Sequence, residues 1–240
     1  MPYEHLAPHY DALMRNLDYG GYADYLLRLA GGSEDDRRPR RVLDLACGTG
    51  RLAEALCERG CDVVAVDNSV EMLSVAQGRG CGALFLHQDI VELDLYGTVE
   101  AAFCTLDALN YLETPKQFCK TLERVRLFLE PGGVFVFDLL TPDALAARNG
   151  AVFMADAEDV YCVWHCLWHS PLIRQDITLF AREDGGLWRR YDEVHTERAY
   201  ELDYAEEALK EAGFQTVRRY GMMEGKPPDQ GDERVVFWAK

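Results

Sequence analysis

The sequence predicts an α/β fold with a doubly wound, mostly parallel sheet of seven strands. Apolar runs of strand length alternate with stretches in which apolar residues recur at helical spacing, and this alternation is typical of a parallel sheet covered by helices. The first apolar run, at 42–45, leads directly into a loop with two glycines, Gly48 and Gly50. The chain ends in two apolar strands joined as a hairpin, which should add an antiparallel C-terminal strand.

The remaining elements follow in order along the chain. Helices are expected at 6–14 and 22–30, before the sheet, and core strands near 41–45, 62–67, 83–87, 101–104 and 133–139 with helices between them. Aromatic and β-branched residues at 160–169, 173–182 and 187–196 predict a small antiparallel β insertion with a turn at 183–186. The last helix is expected to start with a capping box, Asp203-x-x-Glu206, and the closing strands to lie at 215–220 and 234–239.

These elements predict three regions. The N-terminal helical region is 1–36, the α/β core is 37–149 together with 201–240, and the β insertion is 150–200. The insertion lies between two parts of the core in sequence, so it can roof the crevice of the core.

The loop after the first strand is the predicted ligand site. Its glycines let a ligand approach the backbone, and the helix that follows offers free N–H groups. Asp44 is a carboxylate on an apolar strand, so we expect it at the carboxyl end of the strand, facing the crevice. Asp67 ends the second strand, where an acid commonly binds ribose hydroxyls. The pattern Gly48-x-Gly50-x-x-Ala53 leaves both a nicotinamide enzyme and an S-adenosylmethionine enzyme open.

Composition narrows the partners. The 240 residues include 25 Lys and Arg against 41 Asp and Glu, a formal net charge of −16. Binding to nucleic acid or to anionic membranes requires clustered Lys and Arg, so we expect neither as a partner. The N-terminus has no signal-peptide pattern and no apolar stretch is long enough to span a bilayer, which predicts a cytoplasmic protein.

Cysteine and histidine usage predicts no metal site. The eight cysteines are spread over predicted strands and helices, which favours free thiols. Cys162, His165, Cys166 and His169 have the residue types of a zinc site. In a strand, however, alternation places the two cysteines on one face and the two histidines on the other.

Four motifs in order resemble those of class I S-adenosylmethionine-dependent methyltransferases. They are Asp44-Leu-Ala-Cys-Gly-Thr-Gly50, the acid Asp67, His87-Gln-Asp-Ile90 after the third strand, and Leu129-Glu-Pro-Gly-Gly133 before the fifth. The resemblance covers about 41–139. It implies a Rossmann-like methyltransferase fold and S-adenosylmethionine as the cofactor.

The resemblance also implies a role for each motif. The glycine loop holds the methionyl part of the cofactor, the acid after the second strand binds the ribose, and the acid after the third strand binds the adenine edge. Carried over by position, these residues are Ala46, Gly48 and Gly50 for the methionyl part, Asp67 for the ribose, Asp89 and Ile90 for the adenine, and Thr105 and Leu106 beside the methionyl group. Met72 is placed against the base by its own chemistry, and the predicted cofactor-binding set also includes Tyr10, Asp44, Cys47 and Asn68.

The acceptor side is predicted from the N-terminus and from the loop after the fourth strand. The segment 7–14, with Tyr10-Asp-Ala-Leu-Met14, resembles the lid of small-molecule methyltransferases, and Tyr10 is expected to cover the cofactor. Asn110 and Tyr111 lie where the family has its catalytic loop, so the predicted catalytic residues are Tyr10, Asn110 and Tyr111. The general base is left open among His5, His9, Asp138, His165 and His169.

The chain lacks the Asn/Asp-Pro-Pro-Tyr/Phe sequence that resembling enzymes use on bases or amide side chains, which favours a small-molecule acceptor. The oligomeric state is open. The alternatives are an NAD(P)-dependent oxidoreductase, favoured by the glycine fingerprint, and a catalytically silent S-adenosylmethionine-binding protein. We predict an S-adenosylmethionine-dependent methyltransferase that transfers a methyl group to nitrogen or oxygen of a small molecule by direct displacement.

Overall fold

The computed structural model describes residues 2–31, 38–183, 185–223 and 225–240. The predicted boundary between 36 and 37 lies outside the described residues. Within the described ranges, no helix combines the length and the apolar content needed to cross a membrane.

A seven-stranded sheet forms the centre of the molecule, in the strand order β10-β11-β5-β4-β1-β2-β3. The five strands from β1 to β5 are parallel to one another, and β11 lies antiparallel between β5 and β10. This topology confirms the predicted doubly wound sheet with an antiparallel C-terminal strand. The strands are β1 Arg41–Leu45, β2 Asp62–Asp67, β3 Leu84–His87, β4 Val99–Cys104, β5 Leu129–Leu140, β10 Val217–Gly221 and β11 Arg234–Ala239.

Helices cover both faces of this sheet. Alternate residues of the central strands point to opposite sides, so Leu43 packs with one helical layer and Val42 with the other. The first layer includes α5 and α7, and the second includes α2 and α3. The helices are α1 Tyr10–Leu13, α2 Tyr19–Gly31, α3 Arg51–Glu58, α4 Val70–Gln77, α5 Pro115–Phe128, α6 Pro142–Ala147 and α7 Leu202–Glu211.

Side-chain caps fix where several helices begin. The Ser69 hydroxyl accepts from the backbone N–H of Met72 at 3.1 Å and starts α4, as the sequence predicts. A capping box of Thr114 and Gln117 starts α5. The predicted capping box at Asp203 is wrong, because α7 begins after Glu201 without a side-chain cap and Asp203 pairs with Arg219 on β10 at 2.7 Å.

The insertion is a separate four-stranded antiparallel sheet in the order β6-β7-β8-β9. Its strands are β6 Val152–Ala157, β7 Val160–His169, β8 Leu172–Arg182 and β9 Trp188–Arg198. The sequence predicted three of them and missed the edge strand β6. The helix predicted at 6–14 is shorter, a 3₁₀ turn at Ala7–His9 that continues into α1.

Candidate active site

A cavity of about 430 Å³ lies at the carboxyl ends of the parallel strands, where the strand order reverses between β1 and β4. Open α/β sheets bind ligands at this position. Loops after β1, β2, β3 and β4 form one half of the wall, and the N-terminal segment, the 3₁₀ helix Ala108–Tyr111 and β9 contribute to the other half. The predicted site residues that line the cavity are Tyr10, Asp44, Ala46, Cys47, Gly48, Asp67, Asn68, Met72, Asp89, Ile90, Thr105, Leu106 and Tyr111.

The glycine loop leaves open space beside its backbone. Gly48 has a φ of +53°, and a Cβ added there would have Met72 Sδ as its nearest neighbour, at 4.0 Å. Ala46 adopts a φ of +59°, which is uncommon for a residue with a side chain. The Gly48 N–H donates to Asp67 Oδ2 at 2.8 Å, which ties the loop to the end of β2. The loop is therefore a fixed cradle that a ligand can approach closely.

Asp44 is a buried carboxylate that needs a cationic partner. Its side chain is 1% exposed, and Oδ2 has no hydrogen-bond partner among the described residues. Burial, followed by repulsion from Asp67, raises the pKa of Asp44 to about 7. A ligand that carries positive charge into the cradle would stabilise the ionised form. S-adenosylmethionine carries an ammonium and a sulfonium group, so an unpartnered carboxylate beside the glycine loop fits this cofactor.

Two further carboxylates lie along the same wall. Asp67 accepts from the backbone N–H of Gly48 and of Ser69, the latter at 2.9 Å, and burial raises its pKa. Asp89 Oδ1 accepts from the Val91 N–H at 2.9 Å and caps the 3₁₀ helix Ile90–Glu92. A carboxylate has about four acceptor positions, so both groups retain capacity for a ligand diol or amino group.

The loop after β4 is held in a strained conformation from behind. Leu106 and Asp107 have φ values of +59° and +57°, and their N–H groups donate to the Asp138 carboxylate at 2.8 and 2.7 Å. Tyr22 and Arg234 also donate to Asp138, which is fully buried. Asp138 is therefore committed to bracing the loop and is not free to act as the general base.

Two predicted site residues lie away from the cavity wall. Asn110 is 0% exposed, and its amide joins the ends of two strands: Oδ1 accepts from the Leu140 N–H at 3.0 Å and Nδ2 donates to the Arg198 carbonyl at 2.8 Å. The prediction that Asn110 faces the acceptor is thus wrong. Gly50 is also not part of the wall, because its α-carbon packs on the helix layer, with Ala76 Cβ only 2.9 Å from an added Cβ. Its contact with the methionyl group stays a prediction.

Sequence reasoning missed much of the half of the wall that faces away from the glycine loop. Tyr3, Glu113, Gln117, Val194 and Thr196 line the cavity there. The Tyr3 ring contacts Tyr10 and Tyr111, with ring centroids 5.9 and 5.8 Å apart. His5, His9, His165 and His169, the histidines considered as bases, are not among the lining residues.

The Rossmann-like fold and the glycine loop after β1 define an α/β protein that binds a nucleoside cofactor. A methyltransferase domain family matches residues 42–133. A provisionally named methyltransferase of Geobacillus sp. (strain WCH70) is 30% identical over 249 residues, with 100% of both chains covered. The crystal structure of an S-adenosylmethionine-dependent methyltransferase from Clostridium acetobutylicum ATCC 824 has a TM-score of 0.83 at 30% identity and covers 99% of this chain and 98% of that one.

A more distant relative carries a substrate in its name. The glycine/sarcosine N-methyltransferase of Halorhodospira halochloris is 28% identical over 199 residues, covering 77% of this chain and 69% of the relative.

The chain belongs to the class I S-adenosylmethionine-dependent methyltransferases. S-adenosylmethionine is its methyl donor, and the nicotinamide alternative is set aside.

Proposed function

We propose that the protein methylates nitrogen or oxygen of a small molecule by direct displacement. The observation that carries the proposal is that one cavity of about 430 Å³ joins the cofactor cradle to a second wall of tyrosines and an acid. A pocket of this size is in the range of small-molecule and cofactor sites. The Halorhodospira halochloris relative is named for N-methylation of glycine and sarcosine, which supports a small-molecule acceptor.

In this proposal, the half of the cavity formed by the loops after β1, β2 and β3, called the cofactor half, holds S-adenosylmethionine. Asp44 and the backbone around Gly48 would hold the methionyl end, Asp67 the ribose, and Asp89 the adenine edge, with Met72 against the base. When bound, S-adenosylmethionine supplies a methyl group that its positive sulfur already activates. The residues at the acceptor half then have to orient a nucleophile, keep water out and accept a proton.

The opposite half of the cavity, formed by the N-terminal segment, the 3₁₀ helix Ala108–Tyr111 and β9, is called the acceptor half. It would bind and orient the acceptor. Tyr3, Tyr10, Tyr111 and Glu113 line this half of the cavity. Aromatic faces and an acid favour an acceptor with positive or partly positive character. The N-terminal segment and β9 form part of the wall, which favours small acceptors over a polymer chain. The formal charge of −16 also disfavours nucleic acid.

Calorimetry and a turnover assay test this function. Titration should show S-adenosylmethionine binding to the wild type and a loss of affinity in Asp67→Asn. A panel of glycine, sarcosine and larger primary amines, with matched alcohols, is then assayed for S-adenosylhomocysteine release. Turnover with at least one amine or alcohol is the expected result. Tight cofactor binding without turnover of any panel member would favour the silent binding protein and overturn the proposal.

A further inference from the structure

A hydrogen-bonded chain of four side chains runs from the cavity into the insertion. The Tyr3 and Tyr111 hydroxyls, both at the cavity, lie 2.6 Å apart. The Tyr111 hydroxyl is 3.1 Å from His195 Nδ1, and His195 Nε2 is 2.9 Å from Glu193 Oε2. His195 is 2% exposed, and it is reached from the cavity through Tyr111. These contacts join the N-terminal segment, the 3₁₀ helix Ala108–Tyr111 and β9.

The charge on Glu193 determines which group donates and which accepts in each hydrogen bond of this chain. Its carboxylate also accepts from the backbone N–H groups of Tyr3, His5 and Leu6, at 2.8, 2.6 and 3.0 Å. Burial acts to raise the pKa of Glu193, but the hydrogen bonds from His195 and from these N–H groups outweigh it, and the pKa lies below its usual range. An ionised Glu193 can only accept, so Nε2 of a neutral His195 carries the hydrogen.

The remaining hydrogens follow from that tautomer. Nδ1 of His195 then has a free lone pair and accepts from the Tyr111 hydroxyl. The Tyr111 oxygen in turn accepts from the Tyr3 hydroxyl, and the Tyr3 oxygen keeps lone pairs at the cavity. Burial raises the pKa of both tyrosines well above the ordinary value, so they pass protons on and are not themselves ionised bases. A proton taken up at the cavity would end on a buried imidazole beside a carboxylate.

We infer that Tyr3, Tyr111, His195 and Glu193 form a proton relay that deprotonates an acceptor amine. This inference rests on the proposed function. The acceptor enters as an ammonium ion, which has no lone pair, so it has to lose a proton before it can attack. Glu113 and the tyrosine rings at the same wall suit such a cation.

Each proton moves one step along the chain, and the total charge is unchanged. One proton leaves the acceptor nitrogen for the Tyr3 oxygen, the Tyr3 proton moves to the Tyr111 oxygen, and the Tyr111 proton moves to Nδ1 of His195. His195 becomes an imidazolium paired with Glu193. The lone pair left on the nitrogen then forms the new bond to the methyl carbon, and the electron pair of the broken carbon–sulfur bond stays on sulfur.

Other charged groups surround the relay and act on its pH dependence. Glu197, on the same strand and face, has its pKa raised to about 8 by burial and then by Asp107. Gln175 opposes His195 on β8 and donates to Glu197. Asp107 lies in the loop before the 3₁₀ helix and pairs with Arg234 at 2.6 Å. With a pKa of about 8, Glu197 is largely uncharged at neutral pH, so Glu193 is the ionised acid in contact with His195.

Nitrogen NMR of labelled histidine tests the relay without any acceptor. The neutral His195 ring should carry its proton on Nε2, and Tyr111→Phe should shift the Nδ1 resonance and leave the Nε2 proton in place. The control is Tyr191→Phe, the same substitution on β9, the strand that carries His195. It should leave both ring nitrogens unchanged. A neutral ring protonated on Nδ1 would overturn the inference, because it has no lone pair to offer to Tyr111.

Kinetics with the best amine of the panel form the second arm. Tyr111→Phe and His195→Gln should lower kcat about 100-fold at pH 7 and leave KM for the amine and the affinity for S-adenosylmethionine within threefold. The deficit should shrink as the pH rises towards the pKa of the free amine, since the acceptor then arrives deprotonated. A deficit that stays constant with pH would assign the chain a structural role and overturn the relay. A wild-type protein that does not bind S-adenosylmethionine would instead count against the proposed function.

Discussion

Asp44 should make the cofactor-free protein less stable as the pH rises, and Asp44→Asn should remove this effect. Burial, followed by repulsion from Asp67, raises the pKa of Asp44 from 3.8 to about 7. Below pH 3.8 both the folded and the unfolded chain hold this proton, and Asp44 contributes no pH dependence. Between 3.8 and about 7 the unfolded chain has released the proton that the folded chain retains, so the free energy of unfolding falls by about 1.4 kcal/mol per pH unit.

The magnitude follows from the pKa and from the geometry. A shift of about three pH units amounts to a penalty of about 4 kcal/mol once Asp44 is ionised in both states. Asparagine removes this charge but places an NH₂ group where Oδ2 has no partner among the described residues. An unpaired buried donor costs about 1 to 3 kcal/mol. The net gain in unfolding free energy should therefore be about 1 to 3 kcal/mol at pH 8 and close to zero at pH 5, where less than half of the penalty has developed.

Cofactor binding should respond in the opposite direction. S-adenosylmethionine loses a charge-assisted partner in Asp44→Asn, so its affinity should fall about 10- to 100-fold at pH 8. Urea unfolding at pH 5 and pH 8 measures the stability, and calorimetry at pH 8 measures the affinity. Asp62→Asn, at the exposed start of β2, is the control. The reasoning is refuted by an unchanged stability difference between the two pH values, or by wild-type affinity in the variant.

Four further variants separate packing from binding. Both glycines have a positive φ, but Gly50→Ala also places a Cβ 2.9 Å from a side-chain carbon, whereas Gly48→Ala has 4.0 Å of room. Gly50→Ala should therefore lower the unfolding temperature more, and Gly48→Ala should lose more S-adenosylmethionine affinity in calorimetry. Equal effects at both positions would contradict this assignment. Asn110→Ala leaves a buried N–H unpaired and should cost about 1 to 3 kcal/mol in urea unfolding, with cofactor affinity within threefold. Arg234→Met leaves Asp138 without its cation and should cost about 3 to 5 kcal/mol and speed hydrogen exchange at the Leu106 amide, which an unbraced loop requires.

The parallel core and the cofactor half could be predicted because their signals are local. Strands buried on both faces are continuous apolar runs, so β1 at Arg41–Leu45 and β2 at Asp62–Asp67 match the predicted 41–45 and 62–67. Carboxyl ends of parallel strands meet at one edge, so acids that end or follow successive strands converge on one cavity. Asp44, Asp67 and Asp89 all line it. Their roles towards the cofactor remain predictions.

The errors arise where a distant residue changes the use of a local pattern. Asn110 is a polar residue beside the predicted catalytic loop, but its amide is used by Leu140 and Arg198, which lie 30 and 88 residues away in the chain. Asp203 has the spacing of a capping box, but Arg219 on β10 takes its carboxylate. Neither partner can be read from the local sequence, because both depend on which strands meet at the ends of the sheets.

In the acceptor half, β9 buries its polar residues and exposes an apolar one, and this reversal of the usual alternation can mark a functional strand. In a half-buried strand the alternation rule would place Val194 inside and the flanking Glu193 and His195 in water. The structure has the opposite arrangement: Val194 is 47% exposed at the cavity, whereas Glu193 and His195 are buried. Burying an acid and an imidazole is costly unless each is paired, and here the imidazole pairs with the carboxylate, which also accepts three backbone N–H groups of the N-terminal segment. The same carboxylate that holds this segment over the cavity therefore also fixes the tautomer of His195 on which the proposed relay depends.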